Sequence, residues 1–419
     1  MCWGESRTLR YEDAVTHIAG ESMPPFDEVL GNVESAVSSE PWHPFDNRAV
    51  GFIASLSRVI MNDMAARAFP DVVAFAYWCR TSHLTVLQER YSDLDMMIGR
   101  GTSFHVPPAN VPLNCAYSFV SGILSGNGCV VRLSSTPSTE VDVFIRAIQT
   151  LLESGEHPDV ARRIVFVRYG HDDDVTHYLS QHADVRVIWG GDMTVGHIKG
   201  IAAKPRCVDV SFADRVSLAI LSAETVVPLT DVELEQLCGR FYVDSFTFNQ
   251  NACSSPKLVV WHGEPTVVED AKSRFWRCLD SVAISRNQLE PIHMMNRLVE
   301  LCALLATEGI IEEVHDLESS AVRLKLSRTE AWKKTTGLRF GTFSEATAHQ
   351  LSDLSEILDE QVQTVSYFGF EPEEMREWVL KMSQRGVDRV VPVGQALEFD
   401  LEWDGYDLIR MMTRSVVVR

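Results

Sequence analysis

The sequence predicts an α/β fold, with a parallel sheet flanked by helices in the first part of the chain and a second α/β block behind it. Three observations carry this. From Gly128 onward, short β-branched runs alternate with longer runs whose apolar residues recur three and four apart, the pattern of βαβ units. The 419 residues are too many for one small core, which favours two domains with a cleft between them. Hydrophobic residues make up 45% and charged residues 23%, an ordinary globular balance that gives no ground for extensive disorder.

The elements follow in order. "PWHPF" (Pro41 to Phe45) reads as a loop, and Arg48 to Phe69 spaces its apolar residues as a helix, with "DVVAFAYWCR" a second helix after Pro70. Then "CVVRLSS" precedes "STEVDVFIRAIQTLLESG", "RIVFVRY" precedes "DDVTHYLSQHA", "VRVIWGG" precedes "MTVGHIKGIA", and "RCVDVSF" follows, each a strand before a helix. The strand ends of such a sheet present a ligand crevice. From near Asp209 a second block carries "LTDVELEQLCGRFYVDS" as a helix, "KLVVWHG" as a strand, and helices around "DAKSRFWRCLDSV" and "MMNRLVELCALLA". "VQTVSYFGFEPEEMREWVLKMSQRG" reads as strand, turn and helix, and there is no internal repeat or low-complexity linker.

The 58 acidic against 38 basic residues give a formal charge of −20, which opposes attraction to nucleic acid or anionic lipid while leaving room for a small phosphorylated ligand at a local basic group or helix N-terminus. Nine cysteines, an odd number without CxxC pairs, point to a reduced, cytoplasmic setting. "MCWGESRTLRYEDAV" has neither a basic n-region nor an apolar h-region, and no apolar run approaches the roughly 18 residues that span a bilayer, so the chain is read as neither exported nor membrane-inserted.

Three stretches stand out for chemistry. In "FTFNQNACSSPKLVVW", Cys253 sits among amides and hydroxyls and not inside an apolar run, unlike a packing cysteine. A nucleophilic cysteine needs access and a lowered pKa, which a helix N-terminus at "NQNACSSP" would supply; the competing reading is an ordinary loop cysteine. In "PPANVP", prolines bracket Asn110 and would fix its amide as a donor to a developing oxyanion, against the plainer role of a turn former. In "VIWGGDMTVGHI", Gly190 and Gly191 join a strand to a helix and let a nucleotide approach the helix N-terminus, although the segment is not GxGxxG.

Taken together and in this order, the three stretches resemble the aldehyde dehydrogenase superfamily, and within it the acyl-CoA reductases of bacterial luciferase operons (LuxC-like), where a "QNACSSP"-like sequence surrounds the nucleophile. The resemblance runs from about Gly99 to the end and includes "VQTVSYFG" and "DRVVPVGQALEFDLEWDGYDLI". It implies an aldehyde dehydrogenase-like fold: a Rossmann-type nucleotide-binding domain over residues 1–208 with the N-terminal helices, an α/β catalytic domain over 209–390, and a C-terminal tail over 391–419 that packs on the first domain or on a neighbouring subunit. It gives Cys253 the role of nucleophile and Asn110, with the nucleophile's own N–H, that of oxyanion hole. Arg132, with Ser134 and Ser135 beside it, is expected near the adenosine ribose and its 2′-phosphate; Gly190, Gly191 and Thr194 are expected beneath the cofactor diphosphate. The cofactor implied is NADPH.

One departure bears on the reaction. Where hydrolytic aldehyde dehydrogenases carry a water-activating glutamate, this chain has "DVSFADR" with Ser211 at or near that place, and a serine is a poor general base without a partner. The expectation is reduction of an acyl thioester, from acyl-CoA or acyl carrier protein, to a fatty aldehyde. The alternatives are an NAD(P)-dependent aldehyde dehydrogenase and a non-catalytic acyl-binding subunit. An acyl-activating synthetase partner and a homo-oligomer are also implied. "HDDDVTHYLSQH" is read as a solvated strand-to-helix turn in preference to a metal site, and "EWDGYD" as a turn with an aromatic anchor.

Overall fold

The computed structural model describes residues 23–286, 290–382 and 385–419. The N-terminal stretch read for a leader, with Cys2, lies outside the described residues, as do residues 383–384 in the segment expected to close the last helix.

Helix α1 (Asn47–Asn62) is capped by Asp46, whose carboxylate accepts the Arg48 N–H at 2.9 Å. The helix was expected to reach Phe69 but ends at Asn62, because the Asp63 carboxylate takes the Ala65 N–H at 2.8 Å and offers the backbone a turn instead. Proline at the first position starts α2 (Pro70–Trp78), and α3 (Thr81–Arg90) follows.

The first sheet contains β1 (Asp27–Gly31) together with four of the runs that alternation marks out. After the short β2 (Met97–Gly99) come β3 (Thr102–Val106), α4 (Asn114–Leu124), β4 (Gly128–Leu133), α5 (Thr139–Glu153), β5 (Ile164–Arg168), α6 (Asp173–His182), β6 (Val185–Trp189), α7 (Asp192–Gly200) and β7 (Val208–Phe212). The order is β1-β5-β4-β3-β6-β7, parallel except for β1, which runs antiparallel to β5. From β3 the chain moves outward through β4 and β5, then returns to lay β6 and β7 on the other side, and a crevice forms where the order reverses. One face of the sheet packs Phe52, Phe75, Phe119, Phe144 and Phe166 beneath α1, α2, α4 and α5. The other face is covered by α6 and α7 through Val175, Leu179, Val195 and Ile198.

The second sheet is built from β8 (Val216–Ser222), β9 (Pro256–His262), β10 (Ile311–His315), β11 (Val322–Leu326), β12 (Thr342–Ala348), β13 (Val362–Phe368) and β14 (Arg389–Pro392), in the order β10-β11-β12-β9-β8-β13-β14. Only the β10–β11 pair is antiparallel. Between the strands run α8 (Asp231–Phe246), α9 (Pro265–Ser285), α10 (Pro291–Thr307) and α11 (Pro372–Met382). Successive side chains of β9 point to opposite faces: Val259 and Trp261 meet α8 and α9, while Leu258 and Val260 meet Trp332 and Trp378. The indoles of Trp261 and Trp276 both donate to Glu345 Oε1, at 2.9 and 2.8 Å, so each buried N–H is satisfied.

The C-terminal segment forms a hairpin, β15 (Glu402–Trp403) and β16 (Tyr406–Asp407), through Asp404 and Gly405 at φ of 53° and 77°. A two-residue Asp-Gly loop with positive φ at both positions is what a tight hairpin requires. Strand β17 (Thr413–Ser415) then pairs antiparallel with β2, Thr413 opposite Gly99. Among the described residues no helix is long and apolar enough to cross a membrane.

Candidate active site

The residues before Cys253 form a rigid platform. After α8 the chain turns through Asn249 and Gln250 at φ of 51° and 60°, a region that a glutamine seldom occupies. The buried Gln250 amide holds it there: Nε2 donates to the carbonyls of Pro256 at 3.2 Å and Thr342 at 3.0 Å, and Oε1 accepts the N–H of Gly341 at 2.8 Å and of Thr342 at 2.9 Å. Asn251 donates to Phe248 O at 2.8 Å and accepts from Arg339 at 3.2 Å. The Cys253 carbonyl accepts from Ser217 Oγ at 2.7 Å, and that oxygen in turn accepts the Thr364 N–H at 3.1 Å.

Cys253 itself lies in the turn between this platform and β9, and its side chain is exposed. The helix N-terminus expected at "NQNACSSP" is absent because Pro256 opens a strand and not a helix. The lowered thiol pKa expected with it is absent too. Desolvation by the surrounding chain pushes the Cys253 thiol above its ordinary value, the Arg215 backbone N–H opposes this by donating to the sulfur, and the carboxylates of Asp404 and Asp214 reinforce it.

Asn110 follows β3 and is exposed; its Nδ2 donates to the Asn251 carbonyl at 3.2 Å. This bond joins the C-terminal end of the first sheet to the platform that carries Cys253, so segments 141 positions apart in sequence meet two residues before the cysteine. A narrow pocket bounded by Pro107, Pro108, Pro112, Ser134 and Thr136 opens at the same edge.

The remaining sequence-derived residues stand at the ends of β4 and β6, on either side of β3. Arg132 donates to Gly170 O at 2.8 Å and lies over the Tyr169 ring, 4.6 Å from its centroid. The Ser134 hydroxyl accepts the Thr136 N–H at 3.1 Å. Gly191 caps α7 without a side-chain acceptor, so the first-turn N–H groups of Met193 and Thr194 have no partner within the helix and face outward as donors for an anion. The Asp192 N–H is already taken by Asp214 Oδ2 at 3.1 Å, and the Asp214 N–H by Asp192 Oδ1 at 3.1 Å. A β-carbon on Gly191 would stand 3.0 Å from Asp214 Oδ2, and one on Gly190 would stand 3.1 Å from the Thr194 methyl, so a side chain at either position would push its neighbour by a few tenths of an ångström. Ser211 sits on β7, in register with Ile188 on β6.

Sequence reasoning missed the charged group beside the thiol. Arg215 pairs with Asp404 at 2.9 Å and Asp388 at 2.5 Å and donates to Val362 O at 2.8 Å. Asp404 belongs to "EWDGYD", read only as a turn; it is a turn, and its tip also delivers a buried carboxylate to the candidate site. The signal available was the Asp-Gly pair, which fixes the hairpin but not where it points. Lys257, four residues after Cys253, is buried, donates to Leu338 O at 2.8 Å, and is pushed down to about 7 by burial and then by Arg339. In "HDDDVTHYLSQH", Asp172 caps α6 through the N–H groups of Asp174 and Val175, and Asp173 meets His197 at 2.7 Å.

Residues 79–414 match the acyl-CoA reductase (LuxC) family. A long-chain acyl-protein thioester reductase of Aliivibrio fischeri is 25% identical over 307 residues, covering 70% of this chain; the chain spans 58% of that relative's length. Among solved structures, aldehyde dehydrogenase 21 of Physcomitrella patens superposes with a TM-score of 0.63 at 10% identity, covering 92% of this chain and 88% of the other. A lactaldehyde dehydrogenase superposes with a TM-score of 0.62 at 13% identity, over 90% and 86%. The fold is aldehyde dehydrogenase-like.

Proposed function

The chain belongs to the acyl-CoA reductase (LuxC) family, and on that premise we propose that it reduces an acyl thioester to an aldehyde through an acyl group carried on Cys253, with NADPH as reductant. The observation that carries the reading is the bond from Asn110 to the Cys253 platform, which sets a carboxamide donor and an exposed thiol at one crevice. The name of the Aliivibrio fischeri relative supports a long acyl chain and an acyl-protein donor as a second source of the thioester beside acyl-CoA.

In this mechanism the Cys253 sulfur, once deprotonated, attacks the thioester carbonyl; a new S–C bond forms and the oxygen takes up negative charge. The Asn110 amide turns from Asn251 O to that oxygen, and the Cys253 N–H is its second donor. The tetrahedral centre collapses, the carrier sulfur leaves and takes a proton, and the acyl group stays on Cys253 as a thioester. A reduced nicotinamide, when bound, would supply a hydride to the carbonyl carbon of this acyl group. The oxyanion this leaves on the Cys253 adduct would face the same Asn110 and Cys253 N–H donors, and its collapse would break the C–S bond, releasing the aldehyde and the Cys253 thiolate. Ser211, in place of a carboxylate base, leaves the acyl-enzyme to wait for reduction and not hydrolysis.

The residues present fit a dinucleotide: Arg132 would hold the adenosine end, and the Met193 and Thr194 N–H groups the diphosphate beside Gly190 and Gly191. Met193 and Thr194 carry that contact because Asp214 has taken the Asp192 N–H.

The test is the reaction itself: purified protein with NADPH and a series of acyl thioesters, presented as acyl-CoA and on protein, with aldehyde quantified. Oxidation of aldehydes without added thiol, in place of thioester reduction, sinks the proposal. Asn110→Ala is expected to slow acylation by about 100-fold to 1000-fold, the usual loss on removing one oxyanion donor, with NADPH binding unchanged. Arg132→Leu is expected to weaken NADPH by about tenfold, the scale of one charge-assisted hydrogen bond, and NADH much less. Equal losses for the two cofactors, measured by fluorescence titration, remove Arg132 from the 2′-phosphate.

A further inference from the structure

We infer that Arg339 is a positioning residue for the reaction proposed above: it clamps the side chain of Asn251, whose carbonyl parks the Asn110 carboxamide, and so holds the oxyanion donor beside Cys253 before a substrate arrives. The inference rests on that reading of the reaction and adds a residue that acts through another. The backbone is strained where Arg339 enters. Phe340 has a φ of 57°, a conformation that a bulky aromatic residue rarely adopts and that glycine reaches without steric cost. Gly341 follows at 80°, and against them stand Asn249 and Gln250 at 51° and 60°. The two left-handed turns hold each other: the Phe340 N–H donates to the Asn249 carbonyl at 3.3 Å, and the Gly341 N–H to Gln250 Oε1 at 2.8 Å. The carbonyls are held too. Lys257 Nζ donates to that of Leu338 at 2.8 Å, Thr342 Oγ1 to that of Arg339 at 2.8 Å, and Arg297 to that of Phe340 at 3.2 Å. Strain that so many bonds keep in place points to a task, and the task here is the direction of the Arg339 side chain.

That guanidinium pairs with Glu300 of α10 through one terminal nitrogen, and through the other it donates to Asn251 Oδ1 at 3.2 Å. Asn251 Nδ2 donates to Phe248 O at 2.8 Å, so the Asn251 side chain is fixed at both ends. Its carbonyl is thereby fixed as well, and this is the acceptor on which Asn110 Nδ2 rests at 3.2 Å. One line of contacts therefore runs from Glu300 through Arg339 and Asn251 to Asn110, from a helix of the second block to the edge of the first sheet. Of the four, only Asn110 is proposed to meet the reacting oxygen. Glu300 has a part because a free arginine spreads over many rotamers, and an ion pair removes that freedom. The Phe340 ring narrows it further, with the guanidinium carbon 5.1 Å from its centroid. The gain is entropic: an amide already held near the thiol is brought to the oxyanion at less cost than one that wanders.

The first measurement needs no reaction. In NMR of the full chain carrying isotopically labelled asparagine, the Asn110 side-chain amide, identified by its absence in Asn110→Ala, should shift and exchange faster with water in Arg339→Ala, with circular dichroism unchanged. The second is single-turnover acylation of Cys253 by acyl-CoA without reductant, which Arg339→Ala should slow by about tenfold, the scale of one hydrogen bond to a charged group. Alkylation of Cys253 by iodoacetamide builds no oxyanion and should be unchanged, because the groups that act on the thiol are Asp214, Arg215 and Asp404. Arg339→Lys keeps a donor for Asn251 and should recover most of the loss. In Asn110→Ala with Arg339→Ala, acylation should be no slower than in Asn110→Ala alone, since the arginine acts through that amide. If Arg339→Ala folds poorly, Asn251→Ala leaves the ion pair in place and should show the same loss. An unmoved Asn110 amide, additive losses in the double variant, or alkylation slowed as much as acylation would each overturn the inference. A wild type whose Cys253 takes up no acyl group refutes the proposed reaction instead, and the amide measurement still decides whether Arg339 holds Asn110.

Discussion

Cys253→Ala is expected to abolish thioester reduction altogether, the largest effect in the molecule. Only a thiolate at this turn combines nucleophilicity with the capacity to leave again once the carbonyl has been reduced; a hydroxyl at the same place would leave far less readily. The cofactor contacts proposed at Arg132, Gly190, Gly191 and Thr194 lie on other segments, so NADPH should bind the variant as it binds wild type. Intact-protein mass spectrometry after incubation with acyl-CoA alone should find one acyl group, and peptide mapping should place it on Cys253. Acylation of another cysteine, or turnover by Cys253→Ala, would refute the mechanism. The direction of the thiol shift adds a pH dependence. Because desolvation by the surrounding chain and two carboxylates hold the thiol above its ordinary value, the reactive thiolate is scarce at neutral pH and grows as pH rises, so single-turnover acylation should accelerate with pH well past neutrality.

Much of this architecture was legible in the chain because its signals are local. The alternation from Gly128 to Phe212 places β4 to β7 and their helices, and the run of "KLVVWHG" places β9. Strand β1 was not legible: "DEVLG" is short, largely exposed and poor in β-branched residues, and it becomes a strand only by pairing with β5. The same distinction separates the parts of the candidate site. Asn110, Cys253 and the Gly190–Gly191 turn are each marked by their own neighbours in sequence. The electrostatics are not, because the thiol environment depends on Asp214 from the end of β7, Arg215 before β8 and Asp404 from the C-terminal hairpin, which only the fold brings together. The expected helix N-terminus failed for a related reason: Asn and Ser are cap formers, but the buried Gln250 amide ties the loop to the strand β12 and leaves no room for a helix.

That three-segment cluster yields the second large effect. Arg215→Ala should cost about 3–5 kcal/mol of stability, because it removes the cation from the Asp404 carboxylate, whose side chain is only 3% exposed, and leaves that charge buried without its partner. Removing both charges should cost much less: in Arg215→Leu with Asp404→Asn neither charge has to be desolvated and asparagine tolerates the positive φ of the turn, so urea denaturation should recover most of the loss, a non-additivity measured by the double-mutant cycle. Asp388 stays within 2.5 Å of Arg215 in Asp404→Asn, so that single change should be milder than the loss of the arginine. Its effect on the thiol has the opposite sign. Asp404 is one of the two carboxylates that raise Cys253, so Asp404→Asn should lower the thiol pKa and quicken its alkylation by iodoacetamide at neutral pH. If Arg215→Ala is as stable as wild type, or if alkylation in Asp404→Asn is no faster, the cluster is a surface ornament and not the support of the thiol. If both hold, the C-terminal hairpin is tied by charge to the residue proposed as nucleophile, and it damps the thiol's reactivity while fixing its position.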